Sequence, residues 1–179
     1  MAGIQGRLTV NPMKSDRSQV RDLKGQVSLY GREVVPLIRE VLASGGSFDL
    51  TVSGTSMSPT LKPERDQVRL KAPQRKMPEK YPILFFQRDD GTYVLHRKIR
   101  GGRQGLWVIN GDAQAWTECI QPGQVIGVVY EIRRKGRWIP VRDKKYRLWV
   151  FWWRRTRILR PLIFRVKRGL NCYIFKHGR

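Results

Sequence analysis

Residues 83–100 run Ile83-Leu84-Phe85-Phe86-Gln87-Arg88-Asp89-Asp90-Gly91-Thr92-Tyr93-Val94-Leu95-His96-Arg97-Lys98-Ile99-Arg100. Two strand-like runs, 83–87 and 93–100, flank Asp89-Asp90-Gly91, a turn signal of the kind that joins hairpin strands. Side chains alternate along a strand, so Val94, His96 and Lys98 share one face while Leu95, Arg97 and Ile99 share the other. The stretch reads as β structure carrying a histidine.

Working outward, the same period recurs. Phe48, Leu50 and Val52 alternate with polar residues, as do Val68 and Leu70. Residues 106–109 form a further short run, and 125–133 and 138–141 flank Lys135-Gly136, a second hairpin signal. Ahead of the strands, Val34, Val35, Ile38, Val41 and Leu42 recur at helical spacing over 32–43. Pro36 is expected in the first turn of that helix, and Gly45-Gly46 ends it. The expected organisation is a polar lead-in over 1–30, a helix plus β domain over 31–141, and a basic aromatic tail, drawn as a helix, over 142–179.

The chain has 179 residues, 40% of them hydrophobic, which suits one domain with a core of its own. No uncharged stretch exceeds twelve residues, and a spanning helix needs roughly 20 apolar ones. Neither a membrane span nor a secretory signal peptide is expected. Cys119 and Cys172 stand far apart without CxxC partners, and His96 and His177 are the only histidines. A disulfide framework, a zinc knuckle and a multi-histidine metal site are therefore not expected, nor is any cofactor. The simplest placement is cytoplasmic.

The net charge of +22 is uneven: residues 133–179 hold 17 Lys and Arg against the single acid Asp143. Within that tail Trp149, Trp152 and Trp153 cluster beside Arg154 and Arg157. Drawn as a helix, Leu148, Trp152, Leu159, Ile163 and Val166 gather on one side, and Arg147, Arg154, Arg157, Arg165 and Arg168 on the other. Pro161 would kink or divide it. Such a helix suits an anionic membrane surface, giving a peripherally associated protein. The plainer alternative packs the apolar side on the protein's own core. Nucleic acid is a third possible partner, through non-specific charge, since no recognised nucleic-acid-binding motif accompanies it.

Val52-Ser53-Gly54-Thr55-Ser56-Met57-Ser58-Pro59-Thr60-Leu61 follows a strand and is crowded with small hydroxyl residues. Serine is a weak nucleophile without a neighbouring base, and imidazole is the side chain best matched to that work near neutral pH. By itself the stretch reads equally as a Ser/Thr-rich turn, and His96 as a packed strand histidine.

In order along the chain, Gly54-Thr55-Ser56-Met57-Ser58-Pro59-Thr60-Leu61, His96-Arg97 and Asn110-Gly111-Asp112 resemble the type I signal peptidases and the related LexA-like peptidases. The resemblance covers about residues 48–130. His-Arg, where the bacterial branch has a lysine base, is similar to the archaeal and endoplasmic-reticulum branch and to small Gram-positive bacterial members. It implies a coiled β-barrel and a serine endopeptidase acting on a peptide, leader or signal segment. Ser56 would be the nucleophile, His96 the base, and Asp112 would orient the imidazole or shape the site. The loop Gly54-Thr55-Ser56 would carry the oxyanion donor, with Met57 and Pro59 packing beside the substrate. Gly54 stands where many bacterial members have a hydroxyl residue. Lys98 is a second candidate base, and Asp66 reads as a structural turn or a second orienter. Two alternatives stay open: a LexA- or UmuD-like regulator that cuts itself, with 1–30 as its scissile segment, and a catalytically silent membrane- or nucleic-acid-binding module.

Overall fold

The computed structural model describes residues 30–74 and 80–156, and the side chains of that span from residue 34 onward. The lead-in, Arg157 and the rest of the tail lie outside the described residues.

Helix α1 (Tyr30–Ala43) buries Val35, Ile38 and Leu42, three positions on one helical face. It begins two residues earlier than its apolar periodicity, so Pro36 lies in the second turn and not the first. That costs one backbone hydrogen bond, and the ring points to the exposed side. The helix ends in a Schellman motif. Gly46 N–H donates to the Val41 carbonyl and Gly45 N–H to the Leu42 carbonyl, with Gly45 at φ +82°.

Eight strands follow: β1 (Phe48–Thr51), β2 (Gln67–Lys71), β3 (Ile83–Gln87), β4 (Tyr93–Gly101), β5 (Trp107–Asn110), β6 (Glu118–Ile120), β7 (Val125–Arg134) and β8 (Arg137–Pro140). Helix α2 (Lys144–Arg155) closes the described chain. All pairings are antiparallel, in the order β1-β2-β7-β3-β4-β5-β6, with β8 also on β7. The described residues are thus mainly β with two α-helices. The described pairings leave the sheet open between β1 and β6, so closure into the expected barrel is not among them. Register shifts at Arg69/Leu70, Phe85/Phe86 and Lys98/Arg100 bend it.

Both expected hairpins form. Gly91, at φ +81°, turns β3 into β4, and Lys135 and Gly136, at φ +50° and +79°, turn β7 into β8. Two central residues with positive φ give the twist that two-residue hairpins need.

The sheet has an apolar cluster on each face. Val68, Leu70, Ile83, Phe85, Tyr93, Val129 and Ile132 pack with α1. Leu84, Phe86, Val94, Ile109, Ile120, Val125 and Val128 form the second cluster. Strand β3 is buried on both sides, which explains its unbroken apolar run. Gly127 permits α1 to approach, since a Cβ there would lie 3.0 Å from Leu42 Cδ1. Strand β6 is the one described strand absent from the sequence reading. Its three residues are too short to show a period, and the middle one, Cys119, is exposed.

Candidate active site

The loop after β1 is held from within. Val52 N–H donates to the Asp66 carbonyl, and Glu64 N–H to the Val52 carbonyl, closing its base. Gly54 has φ +74°, a conformation that a side chain resists. This is why glycine, and not a hydroxyl residue, stands two before Ser56. Ser58 N–H reaches the Thr55 carbonyl and Leu61 N–H the Met57 carbonyl, so residues 55–61 turn tightly. Met57 and Leu61 are buried in the cluster under α1. Met57 therefore packs into the core beneath the loop, one residue from Ser56. Pro59 is half-buried.

The loop leans on the turn after β5. Ala113 N–H donates to the Ser56 carbonyl at 2.8 Å. Gly111 makes this approach possible, because a Cβ there would lie 2.8 Å from the Ser56 oxygen and 2.6 Å from Gln114 Oε1. Ser56 is half-buried, and its own N–H takes no acceptor among the described residues.

His96 and Arg97 are neighbours on β4 and point to opposite faces. His96, 1% exposed, lies against Phe86 with ring centres 6.1 Å apart. Its Nδ1 lies 2.5 Å from Glu118 Oε1, while Nε2 has no hydrogen-bond partner among the described residues. Arg88 clamps the same carboxylate through Nε (2.7 Å) and Nη2 (2.9 Å). Burial would raise the Glu118 pKa, but the hydrogen bonds and charges of His96 and Arg88 outweigh it and hold the group at about 2. A carboxylate this firmly ionised fixes the proton on Nδ1 and leaves Nε2 as the basic nitrogen. An open cavity of about 280 Å³ borders Arg88 and Glu118 on the side of Asp89, Asp90, Cys119 and Gln124, and neither His96 nor Ser56 lines it.

Asp112 does not orient His96. Its carboxylate accepts from Arg97 Nε (3.0 Å) and Nη2 (2.7 Å), and the Thr60 hydroxyl bonds it as well. Both members of this ion pair are buried. Burial alone would lower the Arg97 pKa, but Asp112 and the Tyr146 hydroxyl drive it above its ordinary value. The pair ties β4, the Ser56 loop and the turn after β5 together.

Asp66 accepts from Arg65, Arg134 and the Lys62 N–H, fixing the far end of the Ser56 loop, with no contact to His96. That is the structural reading and not the orienting one. Lys98 shares the His96 face, as alternation requires, but its ammonium lies 3.5 Å from the centre of the Trp107 ring, and burial lowers its pKa. Of the tail residues, Trp153 and Arg154 turn inward: Trp153 Nε1 donates to the Asp112 carbonyl (2.8 Å), and Arg154 stacks over Tyr81 (3.3 Å). Trp149 and Trp152 stay exposed.

The structure thus brings the Ser56 loop to the turn that follows β5, whose Asn110 pairs with Arg97, the residue after His96. No hydrogen bond joins Ser56 to His96 among the described residues. Glu118 was missed because β6 was missed. Its one sequence signal is that it is the sole acid between Asp112 and Glu131. Among the described residues no cluster of His, Cys, Asp and Glu could hold a metal ion, and no helix is long and apolar enough to cross a membrane. The chain matches no protein-family model, no curated protein and no solved structure.

Proposed function

We propose that the protein is a serine endopeptidase of signal-peptidase type, with Ser56 as nucleophile, His96 as general base and Glu118 as the group that orients His96. The observation that carries this reading is the buried His96–Glu118 pair, with no partner for Nε2 among the described residues, on the strand whose next residue, Arg97, is tied through Asp112 to the turn that seats the Ser56 loop. Ser56 Oγ attacks the scissile carbonyl carbon while His96 Nε2 takes its proton. The imidazolium, stabilised by Glu118, then protonates the leaving amine as the C–N bond breaks. Water hydrolyses the acyl-enzyme by the same route in reverse. The Ser56 N–H is available to the oxyanion, a contact worth about 3–4 kcal/mol in the transition state.

On this reading the bent sheet is the coiled barrel of that superfamily. The substrate is an extended segment with small residues beside the cut, bound by strand addition. The site works at the cytoplasmic face of a membrane, to which the protein is peripherally bound. The test uses internally quenched peptides with small residues around a central bond, in the presence of anionic vesicles. Cleavage by the wild type that disappears in Ser56→Ala and in His96→Ala is the expected result. A folded wild type that cleaves none of them would remove the reading, and shortening of the chain itself, lost in Ser56→Ala, would replace it with self-processing.

A further inference from the structure

Helix α2 divides its side chains between two surfaces. Tyr146, Val150, Trp153 and Arg154 follow helical spacing and face the protein. Arg97 Nη2 donates to the Tyr146 hydroxyl at 3.2 Å, Val150 is buried, and Trp153 and Arg154 make the contacts given above. On the opposite side Leu148 and Trp152 are 60% and 62% exposed, with Trp149 and Phe151 beside them. Lys144, Lys145, Arg147 and Arg155 stand exposed around this strip, and the helix contains no acid.

An apolar strip ringed by cations fits the boundary between anionic headgroups and acyl chains. A nucleic acid would satisfy the charge but leave Leu148 without an apolar partner. The inner face matters as much. Asp112 is a junction: its carbonyl accepts from Trp153, its carboxylate holds Arg97, and the next residue, Ala113, holds the Ser56 carbonyl.

We propose that α2 is an interfacial clamp, its outer face seated on an anionic bilayer and its inner face steadying the Ser56 turn through Trp153 and Asp112. A helix of 12 residues is marginal in water on its own. Lipid and protein both bind its helical form, so each strengthens the other's hold, and the coupling is reciprocal. The effect on turnover rests on the endopeptidase reading; the binding and the steadying do not.

The test uses the full chain with phosphatidylcholine vesicles, with and without phosphatidylglycerol. Co-sedimentation reads binding, and amide hydrogen exchange at Ala113 reads the clamp. Anionic vesicles are expected to bind and to slow Ala113 exchange about fivefold or more, while neutral vesicles do neither. The double variant Leu148→Ser/Trp152→Ser keeps every charge and is expected to bind about tenfold more weakly, a loss of about 1.4 kcal/mol. Trp153→Phe is expected to bind vesicles as the wild type does, yet to lose the vesicle-dependent slowing. Undiminished binding by the double variant would overturn the lipid face, as would equal protection by a single-stranded oligonucleotide. Binding without any change at Ala113 would overturn the clamp. Peptide cleavage, followed in parallel, is expected to rise about fivefold with anionic vesicles. Vesicle-independent cleavage counts against the clamp, whereas absent cleavage with Ala113 protected removes the endopeptidase reading alone.

Discussion

His96 and Glu118 meet at 2.5 Å although their strands, β4 and β6, are not neighbours in the sheet, because β5 runs between them. Glu118 lies opposite Ile109 on β5, which lies opposite Lys98 on β4, so the carboxylate shares the face of Lys98 and His96. Glu118→Gln keeps the shape and removes the charge that fixes the imidazole tautomer. Peptide cleavage should fall by about 10²–10⁴-fold with the fold retained. A variant that cleaves at the wild-type rate would show that Glu118 only braces Arg88.

The same carboxylate sets an acid limit on stability. Its folded pKa is depressed from 4.5 to about 2, so its contribution is complete above 4.5 and is lost as pH falls through about 2. The urea midpoint of the wild type should drop more steeply over that interval than that of Glu118→Gln. Parallel profiles for the two proteins would contradict the depressed pKa.

Asp112 should behave as a stability residue. Asp112→Ala leaves Arg97 buried without its counter-charge, which costs about 3–5 kcal/mol. Urea denaturation should show that loss, while Ser56→Ala, at a half-buried loop position, should unfold close to the wild type. Near-normal stability of Asp112→Ala together with lost cleavage would return Asp112 to a direct catalytic role.

Gly111 is expected to control the nucleophile from a distance. In Gly111→Ala the new methyl meets the Ser56 carbonyl and Gln114 within 3 Å, so the loop must move. Misplacement of a reacting group by about 1 Å can cost about 100-fold in rate. Steady-state kinetics should show the loss mainly in kcat, with the binding of a non-cleavable peptide little changed.

Met57 is predicted to be a packing residue. Met57→Leu should cost less than about 1.5 kcal/mol and leave peptide preference untouched. Met57→Ala should cost about 2–5 kcal/mol in urea unfolding. Altered preference at the positions flanking the cut in Met57→Leu would place the side chain against substrate after all.

Local signals were enough to read much of this protein. Alternation in residues 93–100 separates His96 from Arg97 onto opposite faces, and Asp89-Asp90-Gly91 and Lys135-Gly136 mark two hairpins, because turn geometry and side-chain period are properties of adjacent residues. The same holds for α1, although its start at Tyr30 places Pro36 in the second turn. Partnerships were another matter. That Asp112 serves Arg97 and Glu118 serves His96 depends on which strands pair, in which register, across β5. A three-residue strand such as β6 has no periodicity to announce it. Whether Trp153 faces a lipid or the Asp112 carbonyl was equally invisible in the helical wheel, because a helix with apolar residues on more than one side becomes oriented only when one of them is buried. The sequence alone determined the elements and the chemically capable residues; the tertiary structure decided which of those residues act on one another, since ion pairs and hydrogen bonds form between neighbours in space that the chain order does not name.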